Sequence, residues 1–181
     1  MKYEQRPKEV IKPTRTHCIQ MALPSYALAK EFPDMSWDQL VPKDWRPDRS
    51  LSMIVKRTGL LDDSDPAVIQ LMEKIRKAWD NAPTISELNG KKIRIAGYAV
   101  PLDLTPEKIN NMLLVPYFGA CVHTPPPPAN QIIFGHSEKP LNIEMMNAVW
   151  LSGTLATEKK ATDMGVSGYR LDIAKIEPYK D

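Results

Sequence analysis

Glycine is scarce in this chain, 8 residues of 181 against 17 prolines. Connections built that way are stiff, and helices are broken at several enforced points. There is no glycine-rich phosphate loop, no His-Glu-x-x-His and no nucleophile elbow. No apolar run reaches the roughly 18 residues that span a bilayer, so no transmembrane segment is expected. Cysteine is limited to Cys18 and Cys121, and histidine to three residues. An excess of one charge is also missing. The net charge is +2, but Lys2, Arg6, Lys8, Lys12 and Arg15 sit against only Glu4 and Glu9 in residues 1–29. The remaining 152 residues hold 19 basic and 20 acidic side chains, near −1. Nonspecific nucleic-acid binding rests on a basic surface, so no nucleic-acid partner is expected.

The chain does have the makings of a folded core: 43% hydrophobic and 25% charged residues, ordinary for a globular protein. Its first segment, 1–29, reads as a leader or a disordered tail. A basic stretch ends at Arg15, and "HCIQMALPSYALA" follows, closing on Ala27-Leu28-Ala29. That ending resembles a signal-peptidase site, although Gln20 and Pro24 interrupt the apolar centre. The expected location is the periplasm or envelope, with the cytoplasm as the alternative. Cleavage after Ala29 removes Cys18. Cys121, then alone, must be buried, metal-bound, modified or paired with another molecule.

Residues 30–89 read as an N-terminal arm followed by an amphipathic helix. Ser36 caps a short turn with Gln39 three residues on, Pro42 and Pro47 prevent a longer helix, and Trp37 and Trp45 anchor the arm. "PAVIQLMEKIRKAWD", 66–80, starts with proline and carries Val68, Leu71, Met72, Ile75 and Trp79 at helical spacing, which predicts a core-facing stripe.

From residue 90 the pattern changes to strands. Asn89-Gly90 marks a turn, and Ile93, Ile95 and Gly97 alternate with Arg94 and Ala96. Further runs are "NMLLVPYFGACVH", "QIIFGHS", "NAVWLSGTLATEK" and "SGYRLDIAKIEPY". A helical turn is expected at "PLNIEMMNA", between the third and fourth. Residues 90–181 therefore predict a five-stranded barrel of the oligonucleotide/oligosaccharide-binding (OB) type, with Gly97 at a sharp bend. The whole is mainly β with a helical N-terminal extension, an α+β chain.

"GACVHTPPPPAN", 119–130, is the stretch that suggests chemistry. If the second strand reaches that far, Cys121 and His123 share a face. Their Cβ atoms lie about 6.5–7 Å apart, from a rise of about 3.3 Å per residue. A zinc ion, with bonds near 2.3 Å to sulfur and about 2.0 Å to nitrogen, bridges that gap more readily than a direct thiolate–imidazole hydrogen bond. His136 is the third candidate ligand. A β-hairpin around the proline loop would return it near residues 118–119. Asp103, Glu138 and Glu144 are further carboxylates with no motif to choose among them. Otherwise Cys121 is a small buried hydrophobe and His123 a loop hydrogen-bonder. Pro125, Pro126, Pro127 and Pro128 predict a short polyproline II rod that serves either as a rigid loop or as a docking ridge. Asn130 and Gln131 either brace the backbone or read a ligand. Tyr117 is grouped with these prolines and amides as a candidate ligand- or partner-binding residue.

"LLVPYFGACVHTPPPPANQIIF", with "IAGYAVPL" before it and "WLSGTL" after, resembles an uncharacterised family of bacterial envelope proteins. That family is defined only as a domain of unknown function of the DUF3299 type. The likeness runs from about Trp37 to Tyr179, and its signature falls on Gly119, Ala120, Cys121, His123, Pro125 to Pro128, Asn130 and Gln131. It implies an exported accessory protein, with an ABC-type transport system, in some cases zinc-linked, or another envelope protein as partner. The weak leader departs from the family pattern. The expectation is therefore a non-enzymatic binding protein, with zinc as its one candidate cofactor. The alternatives are a thiol enzyme using Cys121 with His123 or His136 as base, or an oligonucleotide- or ligand-binding OB module.

Overall fold

The structure is a computed structural model that describes residues 31–46, 66–103, 105, 108–120 and 126–180, with the side chains of Ala67 and Val68 excepted. Five strands form a closed barrel in the order β1-β2-β3-β7-β4. They are β1 (Lys92–Pro101), β2 (Ile109–Val115), β3 (Ile133–Leu141), β4 (Ala148–Ala156) and β7 (Tyr169–Pro178). β3 and β7 pair in parallel and every other barrel pair is antiparallel. This is the OB-like barrel that the five apolar runs predict. A small separate ribbon, β5 (Lys160–Thr162) with β6 (Gly165–Ser167), fills the connection between β4 and β7.

The strand period of two sorts the side chains. Ile93, Ile95, Met112, Leu114, Ile133, Leu151 and Leu171 point inward and are at most 1% exposed. Their outward neighbours form a second cluster: Val100, Leu113, Val115, Ile132 and Phe134, joined by Ala120 and, more loosely, Tyr98 and Met164. The outer face of β1–β2–β3 is thus itself partly covered.

Gly97, expected at a sharp bend, is a point of close approach. A Cβ there would stand 2.7 Å from the Val115 carbonyl oxygen and 3.0 Å from the Trp37 ring, so only glycine lets β1 approach β2 and the arm so closely. Trp37 anchors the arm by donating from Nε1 to the Ala96 carbonyl at 2.7 Å. The Ser36 amide donates to the Gln39 side chain at 2.8 Å. Trp37–Leu40 forms the expected short turn. Leu40 is fully buried, and its carbonyl accepts from the Tyr169 hydroxyl at 2.8 Å. The same hydroxyl accepts the Ile85 N–H at 2.8 Å.

The helix α1 (Pro66–Asp80) lies where proposed. Its stripe is only partly core: Ile75 is buried and Leu71 and Trp79 are half-buried, but Met72 is exposed. No helix of the described residues is long and apolar enough to cross a membrane.

Three expectations are corrected. β2 ends at Val115, because Pro116 cannot continue its ladder. Residues 116–119 after it make bends and a turn, and Cys121 and His123 lie outside the described residues. The connection after β3 has no helix: residues 145–146 make a turn, with Met146 in the left-handed region at φ 61°. His136 does not return beside residues 118–119. The hairpin loop is long, so His136 pairs with Asn111.

Candidate functional site

Phe134 and His136 alternate with Ile133 and Gly135 on β3, so both project from the outer face of the barrel. The antiparallel ladder puts Asn111 opposite His136, and the parallel ladder puts Asp172 beside it. Asn111, Phe134, His136, Asp172, Arg170, Glu158 and Lys160 line an open groove of about 370 Å³. A second groove, of about 480 Å³, shares His136 and Asp172 with the first and is lined by residues 136–139, Leu141 and residues 172–176 of β3 and β7.

A hydrogen-bonded chain leads to His136. Asp103, just past β1, accepts the Asn110 N–H at 2.7 Å and the Asn111 N–H at 2.8 Å. The Asn111 side-chain Nδ2 lies 3.3 Å from Asp103 Oδ1, and Asn111 Oδ1 lies 3.0 Å from His136 Nδ1. The Asn111 N–H is the main cause that holds the Asp103 carboxyl below its ordinary range. Partial burial opposes this, while the Asn110 N–H, the Asn111 amide and the His136 charge reinforce it.

Charges in the groove are matched. Arg170 Nη1 reaches Glu158 Oε2 at 2.6 Å, and its Nη2 and Nε each lie 3.2 Å from one oxygen of Asp172. The Lys160 ammonium sits 3.7 Å from the centre of the Phe134 ring. With its guanidinium shared by two carboxylates, Arg170 is poorly placed to track a phosphate backbone.

Of the residues that the sequence singles out, His136 lies in this groove and is exposed. Cys121, His123 and Pro125 lie outside the described residues. Ala120, next to Cys121, is buried in the cluster that contains Phe134. Pro126 and Pro128 are half-buried and Pro127 is buried. A Cβ on Gly165 would come within 3.1 Å of Pro126, so the rod packs against the β5–β6 ribbon. Asn130 is fully buried and donates to the Pro83 carbonyl at 3.1 Å, while Gln131 donates to the Trp37 carbonyl at 3.2 Å. These two amides brace the loop against the N-terminal part of the chain. Tyr117 and Phe118 are exposed, and Phe118 meets Tyr98 edge to face at 5.8 Å.

Among the described residues, no three His, Cys, Asp or Glu side chains converge as a metal would require. Asp103 reaches His136 only through Asn111, and Glu138 and Glu144 are exposed and join neither residue in a hydrogen bond among the described residues. The role of Asn111 was not visible in the sequence. It follows from a register in which Asn111 faces His136, and composition carries no signal of that pairing.

A closed five-stranded barrel with an outer-face groove on strands two and three belongs to the OB-like class. Residues 37–178 match the model of a family described as "Protein of unknown function (DUF3299)", and the chain belongs to that family. A crystal structure of a DUF3299 family protein from Pseudomonas aeruginosa PAO1 is similar, with a TM-score of 0.63 and 28% identity over 83% of this chain and 97% of that one. No curated protein matches the chain.

Proposed function

We propose that the protein is a non-enzymatic binding module of the bacterial envelope that holds zinc through Cys121, His123 and His136. In this reading it serves an ABC-type transport system, or another envelope protein, as an exported accessory. The observation that carries the metal reading is the packing of Ala120 in the same outer cluster as Phe134. Phe134 and His136 line one groove, and Cys121 is one peptide unit, about 3.8 Å between Cα atoms, beyond Ala120.

The donor chemistry fits. One thiolate and two imidazoles are the soft and borderline ligands that zinc takes in tetrahedral sites. His136 has one ring nitrogen engaged by Asn111, as metal-ligating histidines commonly have at the nitrogen that does not bind the metal. When bound, zinc supplies a fixed charge that ties the loop to the strand. The envelope location and the transporter partnership rest on the family resemblance.

Metal analysis of protein purified without a histidine tag tests this reading. About one zinc per chain is expected, and it should be lost on Cys121→Ser. Absence of bound zinc, copper or iron, together with no thermal shift on adding them, removes the metal reading.

A second reading, a thiol enzyme, has one observation in its favour: Asn111 orients His136, supplying the third group that a thiolate–imidazole pair needs. The alkylation rate of Cys121 against pH separates the two. An inflection near the free thiol value of about 8.5 counts against an activated nucleophile.

A further inference from the structure

We propose that Asp103 and Asn111 are positioning residues that hold neutral His136 as its Nδ1–H tautomer, leaving Nε2 as the lone-pair donor to a divalent cation. The inference deepens the metal reading above and rests on it for the identity of the ligand, though not for the tautomer.

The argument runs outward from the carboxylate. An ionised carboxylate only accepts hydrogen bonds. Asp103 already takes two backbone N–H groups, from Asn110 and Asn111. Both of its oxygens also lie near Asn111 Nδ2, at 3.3 and 3.5 Å. The Asn111 amide must therefore turn its NH₂ toward Asp103 and its oxygen toward the ring. An amide oxygen cannot donate, so at 3.0 Å from it the Nδ1 of His136 must carry the hydrogen. In the neutral ring Nε2 is then the acceptor. It has no hydrogen-bond partner among the described residues, and His136 lines both grooves. Three residues from β3, β2 and the turn after β1 thus convert a fixed negative charge into a fixed lone pair. Asp172, the neighbour of His136 on β7, makes no hydrogen bond to the ring and pairs instead with Arg170.

The test is a long-range proton–nitrogen correlation spectrum of the imidazole rings in the ¹⁵N-labelled full chain at a pH where His136 is neutral, with His136→Gln assigning the signal. The wild type should give a protonated Nδ1 and an unprotonated Nε2. Asn111→Ala should return the ring to the Nε2–H form that free histidine prefers. Asp103→Asn, nearly isosteric, should do so with less disturbance of the fold. With one donor and one acceptor at position 103, the Asn111 amide can reverse and offer its NH₂ to Nδ1. A wild-type ring in the Nε2–H form, or a tautomer unchanged in both variants, overturns the inference. Zinc is then titrated into each protein. Selective movement of the His136 Nε2 signal in the wild type, and affinity about 10- to 100-fold weaker in either variant, supports the link to the metal. If the tautomer responds as stated but zinc moves no signal, the metal reading falls and the positioning role stands. If zinc binds all three proteins equally through an unchanged ring, the positioning role falls and the metal reading stands.

Discussion

Replacing Tyr169 by phenylalanine removes one oxygen and little volume, so its cost isolates a single hydroxyl. That hydroxyl accepts the Ile85 N–H and donates to the Leu40 carbonyl, both at 2.8 Å. Tyr169 and Leu40 are fully buried, so no water replaces the missing oxygen without a rearrangement. A typical hydrogen bond contributes about 1 kcal/mol net, and a stranded buried donor or acceptor costs about 1–3 kcal/mol. The two effects overlap. The variant should lose about 2–4 kcal/mol, which at about 2–4 °C per kcal/mol lowers Tm by roughly 4–16 °C for a domain of this size. Urea unfolding read by tryptophan fluorescence measures it, because Trp37 and Trp45 lie on the arm that this hydroxyl holds. A loss below about 0.5 kcal/mol would refute the reasoning, since it would mean that neither partner depends on the hydroxyl.

The same residue predicts an alkaline limb. Burial raises the Tyr169 phenol above its ordinary value of 10.0, with the Ile85 N–H opposing. Its contribution to stability is complete below pH 10 and is lost as pH climbs toward the folded value; Tyr169→Phe should flatten that limb in pH-dependent melts. Asp103 gives the opposite sign. Its folded pKa is depressed below 3.8, so its contribution is present above that value and fades as pH falls through the lower, folded one. Asp103→Asn should remove this acid-side dependence in urea melts at pH 2–5. Gly97→Ala forces a methyl group against the Val115 carbonyl and the Trp37 ring. A loss of about 1–3 kcal/mol is expected, with a shift in the emission of Trp37 as the accompanying sign.

The barrel was legible because its strands obey the period of two over long stretches, as in Ile93, Ile95, Leu151, Tyr169 and Leu171, all buried inside. The helix at 66–80 was legible from its opening proline and its spacing. What the sequence could not carry was register. Asn111 and His136 are 25 residues apart and acquire meaning only when the ladder puts them opposite each other. The end of β2 at Val115 had a local signal in Pro116, but the apolar run beyond it outweighed that signal. The β5–β6 ribbon was missed because its strands of three residues are too short to display a period. Asn130 and Gln131 read from the sequence as either braces or ligand readers, and the fold adds what composition cannot carry: Asn130 donates to the Pro83 carbonyl and Gln131 to the Trp37 carbonyl.

The clasp at Tyr169 has a consequence for how the molecule is made. Leu40 leaves the ribosome 129 residues before the side chain that holds it. The clasp on Leu40 therefore waits for the last barrel strand, whereas Trp37 holds the arm to β1, and contacts of such long separation form slowly. A nascent chain stopped short of Tyr169 has neither a shut barrel nor a clasp on Leu40. Emergence of this strand, rather than any earlier hydrophobic collapse, is the event that closes the barrel.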